Sequence, residues 1–178
     1  MMWFDDFAVE KAEFSYVEGS RNGPENWGRL RSKWVACSKG AMQSPIDIIH
    51  GNAIYDHSLK SLKARYEPAQ AKLPNSGHGI GLGWEKGSAG GIHINGTQFV
   101  LGEFHWHSPY EHTLDAFVSR YDLEMQMVHC SADGRIAVVA VIDKVGLQDH
   151  FLLKEFEKNA RPIQPLNQGQ AYIFKNES

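Results

Sequence analysis

The feature that most constrains the fold of this chain is the dipeptide Asn95-Gly96, which separates two short runs rich in β-branched and aromatic residues. Ile92-His93-Ile94 precedes the dipeptide, and Thr97-Gln98-Phe99-Val100-Leu101 follows it. Asparagine and glycine tolerate the positive φ angles of a tight turn, so this pattern predicts a β-hairpin. Runs 123–130 and 135–145 flank Ala132-Asp133-Gly134 in the same way and predict a second hairpin.

The rest of the chain predicts a mainly β protein with peripheral helices. Residues 19–28 form a lead-in rich in glycine, proline and asparagine, which leaves little room for helix before the late part of the chain. The spacing of apolar residues over 151–159 suits a short helix, which Pro162 ends. Ala171-Tyr172-Ile173-Phe174 has the composition of a last short strand.

Composition indicates one globular domain and excludes several classes of partner. The chain has 178 residues, of which 42% are hydrophobic and 22% charged, so it can bury a real core. A net charge of -3 without a Lys/Arg run gives no reason to expect nucleic acid or an anionic membrane as partner. The N-terminus resembles neither a signal nor a transit peptide, so the expectation for the chain as written is cytoplasmic. Cys37 and Cys130 allow one disulfide without requiring it.

His105-Trp106-His107 indicates metal chemistry, because side chains two apart on a strand point to the same face. A zinc site needs a third ligand, which we expect on the next strand. There the period of two places Glu124, Gln126 and Val128 on one face, so Gln126 is the candidate ligand. Glu124 is then a candidate carboxylate that orients a metal ligand by hydrogen bonding without binding the metal itself. The alternative is two strand histidines hydrogen-bonded at a surface without metal.

Several separated segments, in the same order, resemble the α-type carbonic anhydrases. These segments are Phe14-Ser15-Tyr16, Asn22-Gly23-Pro24-Glu25-Asn26-Trp27, Gln43-Ser44-Pro45-Ile46-Asp47-Ile48, Asn75-Ser76-Gly77-His78, the stretch around His105, Ala137-Val138-Val139 and Arg161-Pro162-Ile163-Gln164-Pro165-Leu166-Asn167. The resemblance runs from about Phe14 to Phe174 and is most similar to plant members. It implies a truncated version of the family's twisted, mostly antiparallel β-sheet with peripheral helices.

The resemblance also implies a reaction and a set of site residues. In the family, zinc held by three histidines makes hydroxide available near neutral pH to attack carbon dioxide and form bicarbonate. By matching position, His105 and His107 are the first two zinc ligands, and His78 relays the released proton. Glu124 matches the carboxylate that hydrogen-bonds a zinc ligand, and Glu111 matches the glutamate that orients a threonine gatekeeper. Val128 and Val138 match the apolar wall beside carbon dioxide, and Tyr16 matches a tyrosine of the active-site water network.

The chain departs from the family in two ways. The third zinc histidine falls on Gln126, whose neutral amide oxygen is a weaker donor for zinc than imidazole, so we expect zinc affinity to fall steeply. Beside this neutral amide, a buried Glu124 would lack its usual imidazole partner and could become protonated. The chain also omits a long segment near 146–153, which in the family carries the threonine, the usual partner of Cys37 and several strands. This omission predicts unpaired strand edges and exposed apolar faces.

These comparisons define the expected organisation and two functions. Residues 1–13 are expected to be a disordered extension, and residues 14–178 a single domain that lacks the segment near 146–153. One function is that of a zinc lyase whose carbon dioxide hydration is weak or lost. The other is a storage or binding protein without the reaction. The yam dioscorins, which resemble the family, are similar here, including a glutamine at the third-ligand position.

Overall fold

A computed structural model of the chain describes residues 14–74, 81–116, 121–144, 146 and 171–174. The strands in these residues are β1 (Asp47–Ile48), β2 (Lys63–Tyr66), β3 (Ala71–Pro74), β4 (Gly81–Trp84), β5 (Gly90–Ile94), β6 (Thr97–His107), β7 (Thr113–Leu114), β8 (Leu123–Ser131), β9 (Ile136–Asp143) and β10 (Ala171–Phe174). The predicted extension 1–13, the predicted helix 151–159 and His78 lie outside the described residues. The predicted last strand is confirmed as β10.

Eight of these strands form one antiparallel sheet, which confirms the predicted mainly β fold. Along one path the order is β10, β3, β4, β6, β5 and β2, while β8 pairs with β6 and β9 pairs with β8. The long strand β6 pairs with β5 through its first half, with β4 through its second half, and with β8 on its other side. A separate parallel pair joins β1 to β7. The strand β6 is thus the centre from which the sheet extends in both directions.

Both predicted hairpins are present. Asn95 and Gly96 connect β5 to β6 with φ angles of 48° and 80°, as a tight turn between twisted strands requires. Between β8 and β9 the turn ends at Gly134, whose φ is 88°. The N–H of Gly134 donates to the Ser131 carbonyl at 3.2 Å, and the N–H of Ser131 donates to the Arg135 carbonyl at 2.9 Å. These bonds set the register of the second hairpin.

The early part of the chain contains little helix, as the lead-in predicted. There are two four-residue helices, α1 (Trp27–Leu30), which begins at the end of the glycine-rich stretch, and α2 (Ala36–Lys39), with single 3-10 turns at 24–26, 32–34 and 50–52. Pro24 occupies the first position of its 3-10 turn, where its missing N–H costs no hydrogen bond. Each segment is too short to show a helical period in the sequence. None of the helices described here is long and apolar enough to cross a membrane.

The core lies on one face of β6 and β8. Buried Met125 and Met127 of β8 pack with Ala89 and Leu101. The partly buried residues around them are Ala69, Trp84, Phe104, Trp106, Val139 and Val141. Burying a side chain of this size contributes roughly 1.5–3 kcal/mol to stability. The pairing of β6 with β8 shifts in register between Leu101 and Glu103. Because of this shift, Leu101 points into the core, and the alternation of side chains between the two faces starts again after it.

Candidate functional site

The face of β6 and β8 opposite the core carries the predicted site. In the register of the two strands, His105 lies opposite Gln126 and His107 lies opposite Glu124. Directly opposed residues of antiparallel strands share a face, so the four side chains meet. The two imidazole rings have centroids 5.0 Å apart and stand perpendicular to each other. The predicted same-face pair is therefore formed, with both rings partly buried.

The Gln126 amide is held by three side chains. Its Nε2 donates to Glu111 Oε2 at 2.9 Å and to Glu124 Oε1 at 2.9 Å. Its Oε1 lies 3.1 Å from Nε2 of His105. Because ionised carboxylates only accept hydrogen bonds, the amide nitrogen must face them, and the amide oxygen must accept from His105. The Nε2 of His105 therefore carries a hydrogen in this arrangement, and a protonated nitrogen cannot bind a metal.

Glu124 is fully buried, at 0% exposed, and anchors the segment that follows β6. Its carboxylate accepts the backbone N–H groups of Glu111 at 2.9 Å and His112 at 2.8 Å, and Nδ1 of His112 lies 2.6 Å away. Burial raises the pKa of Glu124, but the hydrogen bonds from His112, Gln126 and Glu111 outweigh it and hold the pKa below its usual value. The expectation of a protonated Glu124 was wrong, because His112 supplies an imidazole partner.

Two residues extend this network that the sequence did not indicate as site residues. Oγ of Ser44 lies 2.8 Å from Nε2 of His112, on the side away from Glu124. Glu103 Oε1 lies 3.5 Å from Nδ1 of His105. The interaction with Glu103 is the main reason that the pKa of His105 is raised, against the opposing effect of burial. Glu103 stands two residues before His105, so the period of two could have found it, whereas Ser44 has no local signal.

Glu111 lies next to the histidine pair, and Tyr16 lies within electrostatic range of Glu111. Glu111 Oε1 is 3.4 Å from Nδ1 of His107. The pKa of Tyr16 is raised by burial and by the negative charge of Glu111, which places the phenol within electrostatic range of that carboxylate. Tyr16 also packs edge to face on Trp27, with ring centroids 5.3 Å apart, and Nε1 of Trp27 donates to the Ser15 carbonyl at 3.1 Å. Packing thus positions Tyr16, and its role in a water network stays a prediction.

The two valines of the predicted apolar wall lie directly opposite each other. Val128 of β8 pairs with Val138 of β9, beyond Gln126 on the same face. Val138 is 50% exposed. Contact with carbon dioxide at these residues stays a prediction, as does the proton relay at His78, which lies outside the described residues.

The residues present do not fit a zinc site built from three imidazoles. Within the described part of the chain, no group of three or more His, Cys, Asp or Glu side chains could hold a metal ion. Where a third imidazole would stand, the amide oxygen of Gln126 is hydrogen-bonded to His105. The arrangement is a closed hydrogen bond network in which each charged group has partners.

Known proteins are similar to this chain in sequence and in structure. The sequence model of the eukaryotic-type carbonic anhydrases matches residues 22–148. Alpha carbonic anhydrase 5 of Arabidopsis thaliana is 45% identical over 92% of the chain, and a dioscorin of Dioscorea japonica is 44% identical over 82%. The chain spans 58% and 54% of those two proteins. A crystal structure of dioscorin complexed with ascorbate superposes with a TM-score of 0.77 and 39% identity, covering 90% of this chain and 65% of that one.

Proposed function

The chain belongs to the eukaryotic-type carbonic anhydrase family, and we propose that the inherited reaction, zinc-dependent hydration of carbon dioxide to bicarbonate and a proton, is weak or lost in it. One observation carries this proposal. Gln126, which by resemblance matches the third zinc ligand of the family, donates from its amide to Glu111 and Glu124 and lies 3.1 Å from the His105 imidazole.

This hydrogen bond network opposes metal binding in two ways. Coordination through Nε2 of His105 would require loss of its hydrogen and of the 3.1 Å contact with Gln126. An amide oxygen is a neutral ligand and binds zinc more weakly than an imidazole nitrogen does. Two imidazoles and one amide are therefore a poor match for zinc.

A second candidate is a non-catalytic storage or binding protein of the dioscorin type. It is favoured by the Gln126 network, which satisfies the polar groups of the site without metal. The similarity to dioscorins, 44% identical over 82% of the chain in one case, supports it as well. In this role the polar side chains around His105 and His107 would satisfy one another's hydrogen bonds and would need no metal.

Metal analysis combined with an activity assay tests the proposal. The purified, monodisperse chain is measured for bound zinc by mass spectrometry and for carbon dioxide hydration by stopped flow. We expect a zinc content near zero and hydration near the buffer rate. Gln126→His should raise zinc affinity by roughly tenfold or more. Hydration should recover little, because the chain omits the segment in which the family carries its threonine gatekeeper.

Gln70→His is the matched control, since Gln70 is exposed and far in sequence from the site. It should change neither zinc content nor hydration. One equivalent of firmly held zinc in the unmodified chain, with hydration well above the buffer rate, would overturn the proposal. Weak zinc-dependent hydration in the unmodified chain would exclude the dioscorin-type role. Zinc without hydration in Gln126→His, and neither in the unmodified chain, is the result that a lost reaction and the dioscorin-type role both predict.

A further inference from the structure

Among the described residues, β9 is an edge of the eight-stranded sheet, because it pairs with β8 alone. The N–H of Ser131 donates to the Arg135 carbonyl, so Ser131 and Arg135 are a hydrogen-bonded pair of the ladder between β8 and β9. In an antiparallel ladder such pairs alternate with pairs that do not bond. The backbone N–H and C=O groups of the even-numbered residues 136–142 are therefore directed away from β8. They form a row of donors and acceptors along the free edge.

The side chains of these four residues are apolar, and all of them except the half-buried Ile142 are exposed. Ile136 is 66% exposed and Val138 is 50% exposed, and Ala140 is exposed as well. Edge strands of soluble proteins are usually protected by proline, by lysine or by an inward-pointing charge. The run from Ile136 to Ile142 has none of these. The edge is thus suited to pair with another strand.

We propose that β9 pairs antiparallel with β9 of a second copy of this chain, with the two-fold axis at Val139. In this register Ile136 lies opposite Ile142 of the second copy, and Val138 lies opposite Ala140. At both ends of the ladder Arg135 lies opposite Asp143 of the second copy. The sheets of the two copies then form one continuous sheet.

Charge and hydrogen bonding select this register over its neighbours. The free donors and acceptors belong to even-numbered residues, so the register can shift only in steps that keep these residues opposite each other. With the axis moved to Val138, Asp143 would face Asp133 of the second copy, and like charges directly opposite destabilise a sheet. With the axis moved to Ala140, Ile136 would face Lys144. Only the axis at Val139 joins opposite charges at both ends.

A second copy is the natural occupant because an antiparallel pair of identical strands is self-complementary about a two-fold axis. The contact involves one strand of eight residues from each copy. Such a contact is small beside the roughly 1,200–2,000 Å² of a standard stable interface. We therefore expect a dimer that depends on protein concentration in the micromolar range, on the order of 1–100 μM.

Sedimentation velocity of the full chain over a series of concentrations tests the proposal. Ile136→Lys places a charge in the apolar contact and should raise the dimer dissociation constant by about tenfold or more. Ile54→Lys is the matched control, because Ile54 is 92% exposed and is far from β9 in the sequence. It should leave the dissociation constant unchanged. Far-UV circular dichroism verifies folding, and Ile136→Thr replaces the lysine variant if the lysine disturbs the fold.

Charge reversal tests the register itself. Arg135→Asp and Asp143→Arg should each weaken the dimer, and the double variant should restore it. Within one chain Arg135 also bonds Asp133 at 3.0 Å, so the double variant gains nothing inside the monomer, and restoration must come from the second copy. A monomer at every concentration whose β9 amides resist hydrogen exchange would show that the chain covers its own edge, and would overturn the proposal. A dimer indifferent to Ile136→Lys, or a double variant no better than the single ones, would do the same.

Discussion

Two fully buried ionisable side chains lie on opposite faces of β8, and their surroundings differ. Glu124 and His129 are both 0% exposed. The Glu124 carboxylate faces four donors, from Glu111, His112 and Gln126. His129 has its Nε2 3.0 Å from the Tyr66 hydroxyl, and its Nδ1 has no hydrogen bond partner within the described residues.

This difference shows which face of β8 is built around a charge. A buried carboxylate is costly unless donors surround it, and the donors of Glu124 hold its pKa below the usual value although burial acts in the other direction. Burial lowers the pKa of His129, so that its neutral form is favoured. The site face therefore depends on Glu124, whereas the core face uses His129 as an uncharged packing residue.

The largest effect is expected when Glu124 is replaced. Glu124→Leu leaves the donors of Glu111, His112 and Gln126 without their acceptor in a buried position. Breaking a buried hydrogen-bonded charge in this way costs about 3–5 kcal/mol. The free energy of unfolding, measured in urea at neutral pH, should fall by this amount.

His129→Leu is the control on the same strand. It replaces a neutral buried ring with an apolar side chain of similar size, so the free energy of unfolding at neutral pH should change by less than about 1 kcal/mol. Equal losses in the two variants would show that the two faces do not differ as the hydrogen bonds indicate.

The sequence predicted the structural features that depend on residues close together in the chain. Asn95-Gly96 determined the turn of the first hairpin, and the period of two put His105 and His107 on one face. The same period placed Gln126 and Glu124 together, and the register confirms that they face the histidines. Turn chemistry and strand alternation are local, so a single sequence is enough to predict them.

The parts that were missed depend on distant residues. Ser44 is 68 positions from His112, and no local pattern connects them. The parallel pairing of Asp47 with Thr113 is equally distant and joins strands of two residues. The protonation of Glu124 was misjudged because the donors that surround it became apparent only when His112 was placed beside it. Long-range packing, rather than propensity, determines these features.

A smaller effect is expected on the pH dependence of stability. The pKa of His129 is lower in the folded chain than in the unfolded chain, so the unfolded chain binds more protons as the pH falls below about 6.5. The free energy of unfolding should therefore decrease from about pH 6.5 down to the folded pKa, by at most about 1.4 kcal/mol per pH unit. His129→Leu should lack this part of the decrease. His57→Leu, at an exposed histidine, should keep it, and parallel curves for the wild type and His129→Leu would contradict the assignment.

The smallest effect concerns the hydrogen bond between Tyr66 and His129 on the core face. Tyr66→Phe removes the hydroxyl that lies 3.0 Å from Nε2 of His129 and should lower the free energy of unfolding by about 0.5–1.5 kcal/mol. Tyr66 is 41% exposed, so in the His129→Leu background its hydroxyl can bond to water instead. There the same substitution should cost almost nothing, and a double-mutant cycle in urea measures the difference. An equal cost in both backgrounds would mean that the Tyr66 hydroxyl contributes to stability independently of His129, and that His129 is buried without a useful partner on either nitrogen.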